Sequence, residues 1–155
     1  MATTNNTPGG NLYPPVGFHF RATFPDFPGD NEMRFQSISG LSAEIMMETY
    51  KEGGNNMYEY QLPVRVKFSD VSLKRGLLKG STIFQWCLSA INDFKFSPKD
   101  LNIDLLDEQG AALVSWSLKG VLPKKWSVSE FNAEQSTIAI EQMDLVIREF
   151  RIQPK

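Results

Sequence analysis

One cysteine and one histidine in 155 residues exclude more chemistry than any motif in the chain suggests. A lone cysteine cannot close an internal disulfide, and a single thiol with a single imidazole cannot build the multi-Cys or multi-His sets that hold zinc. Long apolar stretches are also missing. The longest runs from Ala111 to Val114, against the roughly 18 residues of a membrane-crossing helix, so stable membrane insertion is not expected. An excess of one charge is absent, since 16 Lys+Arg face 18 Asp+Glu for a formal net charge of -2. That balance gives no dense basic face for nucleic acid and leaves protein as the expected partner. The first residues have neither a basic start nor an apolar stretch, so no secretory signal is expected and synthesis in the cytoplasm is. With 41% apolar and 22% charged residues, and a length that can bury about 68–70% of the unfolded surface, the chain reads as one domain with a self-supporting core.

What is present is mainly alternation with a period of two. Residues 1–15, rich in Thr, Asn, Gly and Pro, read as a flexible arm, and the domain is expected over 16–155. Phe18, Phe20, Ala22 and Phe24 alternate with His19, Arg21 and Thr23, a half-buried strand ended by the turn-forming segment 25–30. From Phe35 to Tyr50 a strand pair or one bent strand places Leu41, Ala43, Ile45 and Met47 on one face and Ser42, Glu44, Met46 and Glu48 on the other. Lys51, Glu52, Gly53, Gly54, Asn55 and Asn56 then predict a protruding hairpin loop. The return strand is expected from about Tyr58 to Lys74, with Val64, Val66 and Phe68 inward and a bulge near Ser69 and Asp70. Pro63, unable to donate to a ladder, is expected at an edge or a bulge.

The period then lengthens. Ile83, Phe84, Cys87, Leu88, Ile91 and Phe94 recur at three- and four-residue spacing and predict a single amphipathic helix over 82–94, opened by a capping box of Thr82 and Gln85. Leu101, Ile103 and Leu105, a turn at 107–110 and the run 113–118 predict a hairpin. A final strand from Ser136 to about Phe150 is expected to turn Ile138 and Ile140 inward before a phase shift to Met143, Leu145 and Ile147. The fold class expected is mainly β with one α-helix.

Reactive constellations are scarce. His19 sits on the polar face of a strand with no nucleophile elbow in the chain. The stretch from Gly76 to Thr82 has Lys79 before Gly80, the reverse of the Walker order, and reads as a strand-to-helix turn. Asp104, Asp107 and Glu108 gather at a hairpin tip, where carboxylates serve turns and solubility. Cys87 lies in the apolar stripe and reads as an inert small hydrophobe. Asn5 and Thr7 match a glycosylation acceptor by chance, and Trp86 and Trp116 are expected in the core, with Trp126 open. No catalytic, cofactor-binding or metal site is assigned, and the chain is not expected to be an enzyme.

The strands themselves point elsewhere. Glu44, Glu48, Arg65, Lys67, Ser115 and Ser117 give several of them a polar but charge-balanced face, and edges with few blocking devices invite another chain. Head-to-tail pairing would close a ring with that face lining the hole, whereas a monomeric sandwich with one solvated face satisfies the pattern equally. A monomeric β-barrel that binds a small apolar ligand is a further alternative.

Three segments, 50–56, 71–76 and 123–126, with the openings 16–20 and 35–42, resemble the inner tube proteins of contractile phage tails and related injection systems over residues 13 to about 150. The resemblance implies a tail-tube β-barrel or sandwich that joins a ring-forming lumen barrel. It also implies stacked hexameric rings inside a contractile sheath, with baseplate and spike proteins as further partners. Such a tube punctures target membranes and carries or conducts effector cargo, in a particle that is extracellular after release or anchored in the producing cell. It places Tyr50, Lys51, Glu52, Gly53, Gly54, Asn55 and Asn56 in an inter-ring or intersubunit loop, and Lys74 and Arg75 in intersubunit contacts. A baseplate-proximal tube initiator shares the same motifs and stands as an alternative.

Overall fold

The computed structural model describes residues 19–29, 34–54 and 56–155, so the expected arm at 1–15, Phe18 and Asn55 lie outside it. Among the described residues there are nine strands and one helix, the mainly β class that the alternation predicts. In chain order they are β1 (Phe20–Thr23), β2 (Ser37–Ser39), β3 (Ala43–Tyr50), β4 (Tyr60–Phe68), β5 (Val71–Gly76), α1 (Thr82–Asn92), β6 (Lys99–Leu106), β7 (Ala112–Val128), β8 (Ile140–Val146) and β9 (Glu149–Pro154). No described helix is long and apolar enough to cross a membrane.

The 17-residue strand β7 organises the domain. Its first half pairs β6 on one side and β9 on the other, and from Leu122 onward it pairs β8. The strand therefore runs from one sheet, ordered β1-β6-β7-β9, into a second formed with β8, β5 and β2. Alternation puts Ala22, Leu101, Ile103, Leu118 and Phe150 of the first sheet and Val71, Leu73, Met143 and Leu145 of the second into a shared core. The helix seals it with Ile83, Trp86, Cys87 and Ala90, and Trp86 packs on Phe24 and Phe27 at centroid distances of 5.9 Å each. The Trp86 Nε1–H donates to the Ser97 carbonyl at 2.8 Å.

Several boundaries differ from expectation for physical reasons. The stretch from Phe35 to Tyr50 is two strands, β2 and β3, and the expected return strand is also two, β4 and β5, because the chain changes sheet at Ser69 and Asp70 and makes no bulge there. The bulge lies between Met46 and Met47, where β4 carries an extra residue next to Pro63. The expected last strand breaks at Ile147 and Arg148 into β8 and β9, which pair successive stretches of β7 along one edge in a register that continues across the break, and Ile138, expected inward, precedes β8 and is exposed. The helix cap is Ser81, whose extended backbone lets Oγ accept the Phe84 N–H at 3.1 Å, one residue before the expected Thr82. The helix stops at Asn92, which leaves Phe94 out of the core, and Ile91 on its last turn is also exposed.

Val64 and Val66, expected inward, are exposed, because β4 pairs only with β3 among the described residues and lies outside the core. His19 is exposed, with Nδ1 3.2 Å from the Asp107 carbonyl. The Asp107 carboxylate accepts the N–H groups of Gln109 and Ala111, forming the hairpin turn. Cys87 is fully buried, and burial followed by the nearby Glu141 carboxylate pushes its thiol up to about 12, so no thiolate forms near neutral pH.

Candidate functional site

Strands β3 and β4 pair with each other and with no other strand of the described chain. A two-stranded ribbon in water is marginal unless something packs on it, yet nearly every side chain of this one is exposed. Directly opposed residues share a face, so the register sorts the side chains. Glu44 lies opposite Lys67 and Met46 opposite Arg65; beyond the bulge Glu48 lies opposite Leu62 and Tyr50 opposite Tyr60. Four of the expected lumen residues, Glu44, Glu48, Arg65 and Lys67, are thereby brought to one face of the ribbon, along with Met46, Tyr50, Tyr60 and Leu62. The other face carries Ile45, Met47 and Val66, each half or more exposed. Exposed apolar side chains in such a contiguous group mark an interaction surface.

The expected intersubunit loop is the tip of this ribbon. Lys51 pairs with Glu59 across it at 2.8 Å, and the rings of Tyr58 and Tyr60 meet edge to face at 5.3 Å. Tyr50, Glu52, Gly53, Gly54 and Asn56 are exposed, and Gly54 has a φ of 95° that a side chain adopts only with strain.

Ser115 and Ser117 lie elsewhere, on the outer face of the first sheet, where cross-strand register builds polar rows. One row is Arg21, Asp104, Ser115 and Gln153; the next is Thr23, Asn102, Ser117 and Arg151. Asp104 accepts from Arg21 at 3.0 Å and from Ser115 at 2.6 Å, Asn102 accepts from Ser117 at 3.2 Å, and Lys119 pairs with Asp100 at 2.6 Å. Burial alone would raise the Asp104 carboxyl, but hydrogen bonds from Ser115 and Arg21, with the charges of Arg21 and Lys155, outweigh it and hold the group below its ordinary value. A carboxyl depressed in the folded state adds stability above its unfolded value, about 3.9, and loses it as pH falls through the folded one. Asp104→Asn is therefore expected to lower stability at pH 7 and to flatten its acid decline. Denaturant titrations between pH 7 and pH 2 check this, and parallel curves for the variant and the parent would refute it.

Lys74 is exposed on β5, open to a neighbour. Arg75, expected in an intersubunit contact, is corrected by its burial: its side chain is 0% exposed and forms an ion pair with Glu141 of the same chain. The guanidinium also donates to Ser81 Oγ at 2.5 Å and lies 5.6 Å from the centre of the Phe35 ring. The other Glu141 oxygen accepts the Trp126 Nε1–H at 3.0 Å, and the Trp126 ring meets Phe84 at 5.4 Å, which answers the open question of where Trp126 faces. This node ties β5, β7 and β8 to the helix cap. Glu141 and Ser81 escape the sequence reading, although Glu141 keeps the inward phase of Met143 and Leu145 as Arg75 keeps that of Val71 and Leu73. Two opposite charges at inward positions on neighbouring strands are the signal that could have found them.

Comparison with known proteins gives the geometry a context. One chain of the cryo-EM structure of the anti-feeding prophage cap, described as a tube terminating cap, is 27% identical over 100% of both chains with a TM-score of 0.80. A chain of the sheath-tube complex of an extracellular contractile injection system, PVC, in its extended state is 23% identical, covering 94% of this chain and 95% of that one with a TM-score of 0.78. Hcp1 from Flavobacterium johnsoniae shares the fold at 12% identity, with 88% and 95% covered and a TM-score of 0.55. No curated protein matches the sequence significantly. The model of the T4-like virus tail tube protein gp19 family matches residues 16–151, and the chain belongs to that family.

Proposed function

We propose that this chain is a structural subunit of the inner tube of a contractile injection system. Copies close into hexameric rings, the rings stack inside a sheath, and the tube is driven through a target membrane with effector cargo held or conducted in its lumen. The observation that carries this reading is the β3–β4 ribbon, apolar on one face and mixing charged with apolar side chains on the other, with no further strand beside it among the described residues. Family membership and the likeness to chains in sheath-tube, baseplate and cap structures support it. The face with Glu44, Glu48, Arg65 and Lys67 and the separate polar rows around Ser115 and Ser117 suit a wetted lumen. The Tyr50 to Asn56 tip suits contact with an adjacent copy or ring. Sheath, baseplate and spike proteins are the partners of such a tube, in an extracellular or anchored particle. The work is mechanical, and no reaction is assigned.

Negative-stain electron microscopy of the purified chain, alone and with the other particle components, tests the reading, with annular hexamers and stacked tubes expected. Val66→Asp places a charge on the exposed apolar face without touching the core, so it is expected to leave thermal unfolding within about 0.5 kcal/mol of the parent while abolishing rings. Neither rings nor tubes from the parent chain under any of these conditions would defeat the reading.

A further inference from the structure

The helix is unusual for a surface element. Over Thr82–Asn92 it has no Asp, Glu, Lys or Arg, in a chain that is 22% charged, and its exposed side offers only Thr82, Gln85, Ile91 and Asn92. A helix that ends its days in water ordinarily carries charges there. Just beyond it Phe94 takes a φ of 52°, the one positive φ among the described non-glycine residues. The reversal lets the Lys95 N–H reach the Ser89 carbonyl at 3.1 Å. Gly or Asn normally fills such a position, and a bulky residue there is strained. The strain secures no burial among the described residues: Phe94 is 82% exposed, its ring meets the exposed Phe96 ring at 4.8 Å, and Ile91 on the last helical turn is exposed as well. A charge-free helix face ending in a strained, exposed aromatic pair has the composition of an interface core.

We infer that this helix end, Ile91 with Phe94 and Phe96, is the seat for the Ile45, Met47 and Val66 face of the β3–β4 ribbon of a second copy. This rests on the ring reading and deepens it by naming the two surfaces that mate. Complementarity argues for the pairing. The opposite ribbon face carries Glu44, Glu48, Arg65 and Lys67, and the outer face of the first sheet carries its polar rows, so neither would cover aromatic rings without stranding charge. The Ile45 face is apolar and, among the described residues, has no strand packed on it. Seated on the helix, it would leave the charged ribbon face turned away from the contact, free to line a lumen. Because the two surfaces differ, the contact is heterologous and propagates from copy to copy until a ring closes.

Two experiments test it on the full chain. Cysteine pairs joining Ile45, Met47 or Val66 to Ile91 or Phe96, treated with a short bis-maleimide after assembly, are expected to give a ladder of covalent oligomers. Native Cys87, being buried, does not compete. Pairs from the ribbon to Phe131, another exposed aromatic side chain, serve as the control. Phe94→Asn relieves the backbone while deleting the ring, so it is expected to unfold at the same or a higher temperature than the parent. The protein concentration needed for half-assembly should nevertheless rise about tenfold or more. A residue with a merely structural role would not separate those two readouts. Rings that form but cross-link only through Phe131, or not at all, or that assemble equally well with Phe94→Asn, overturn this inference and leave the ring reading intact. No rings from the parent chain overturn both.

Discussion

Glu141→Ala is expected to destabilise the monomer by about 3–5 kcal/mol, because it strands the Arg75 guanidinium at a site with no access to water. In a domain of this size that corresponds to a fall in Tm of roughly 6–20 °C. The loss exceeds that of an ordinary surface pair because three further groups depend on the carboxylate. The Trp126 Nε1–H loses its acceptor, the Ser81 hydroxyl that both receives Arg75 and caps the helix is left to orient a cation without a counter-charge, and Cys87 keeps a neighbouring cation alone. An unsatisfied buried donor adds about 1–3 kcal/mol by itself. Replacing both members, as Arg75→Met with Glu141→Leu, is expected to recover most but not all of the stability. The charge problem vanishes, while the Trp126 indole and the Ser81 hydroxyl remain short of a partner. Chemical denaturation of the two single variants and the double variant gives the coupling. A loss under about 1 kcal/mol for Glu141→Ala would show that the pair adds nothing the surrounding core does not already supply.

That node also shows why sequence reasoning stopped where it did. Periodicity reports which residues share a face of one element, and it located the strands around Ala22, Ile103, Leu118 and Leu145 and the helix over Ile83 to Ala90 because each buries a regular apolar set. It does not report which elements become neighbours. The pairing of β5 with β8 sets Arg75 opposite Glu141 across 66 residues of chain, and neither position is polar-periodic in isolation. The same blindness merged β4 with β5. Alternation continues through Ser69 and Asp70 with only a change of phase, and a phase change signals a bulge and a change of sheet alike. The six charged and hydroxyl residues expected on a lumen face separate for that reason. Glu44, Glu48, Arg65 and Lys67 share one face of the ribbon, and Ser115 and Ser117 belong to another sheet. At the helix end, the sequence showed an apolar residue at the right spacing in Phe94 but not the backbone reversal that turns it outward.

Gly40→Ala should be the most damaging alanine substitution among the described glycines, at about 2–5 kcal/mol. Gly40 has a φ of 91°, and a Cβ there would stand 2.0 Å from the Asp70 carbonyl oxygen and 3.2 Å from the Val71 Cα. Both neighbours are backbone, so no rotamer change relieves the overlap. Left-handed strain contributes roughly 1–2 kcal/mol and the forced displacement a further 1–3 kcal/mol or so. The position matters because two connections cross there. The link from β2 to β3 passes over the link from β4 to β5, and the Ser69 N–H donates to the Ser42 carbonyl at 3.1 Å while the two serine hydroxyls meet at 2.5 Å. This crossing is the root from which the ribbon leaves the main sheet, so displacing it redirects every residue from Ala43 to Phe68. Gly54→Ala is the matched comparison, with a similar φ of 95° at the ribbon tip and nothing within 4 Å of the added carbon. It should lose only the backbone strain. Subtracting the two stability changes isolates the clash. If assembly depends on where the ribbon points, Gly40→Ala should also abolish rings at temperatures where the monomer is still folded by circular dichroism, and Gly54→Ala should not. Equal effects of the two substitutions on both stability and assembly would mean that the crossing yields readily and does not set the direction of the ribbon.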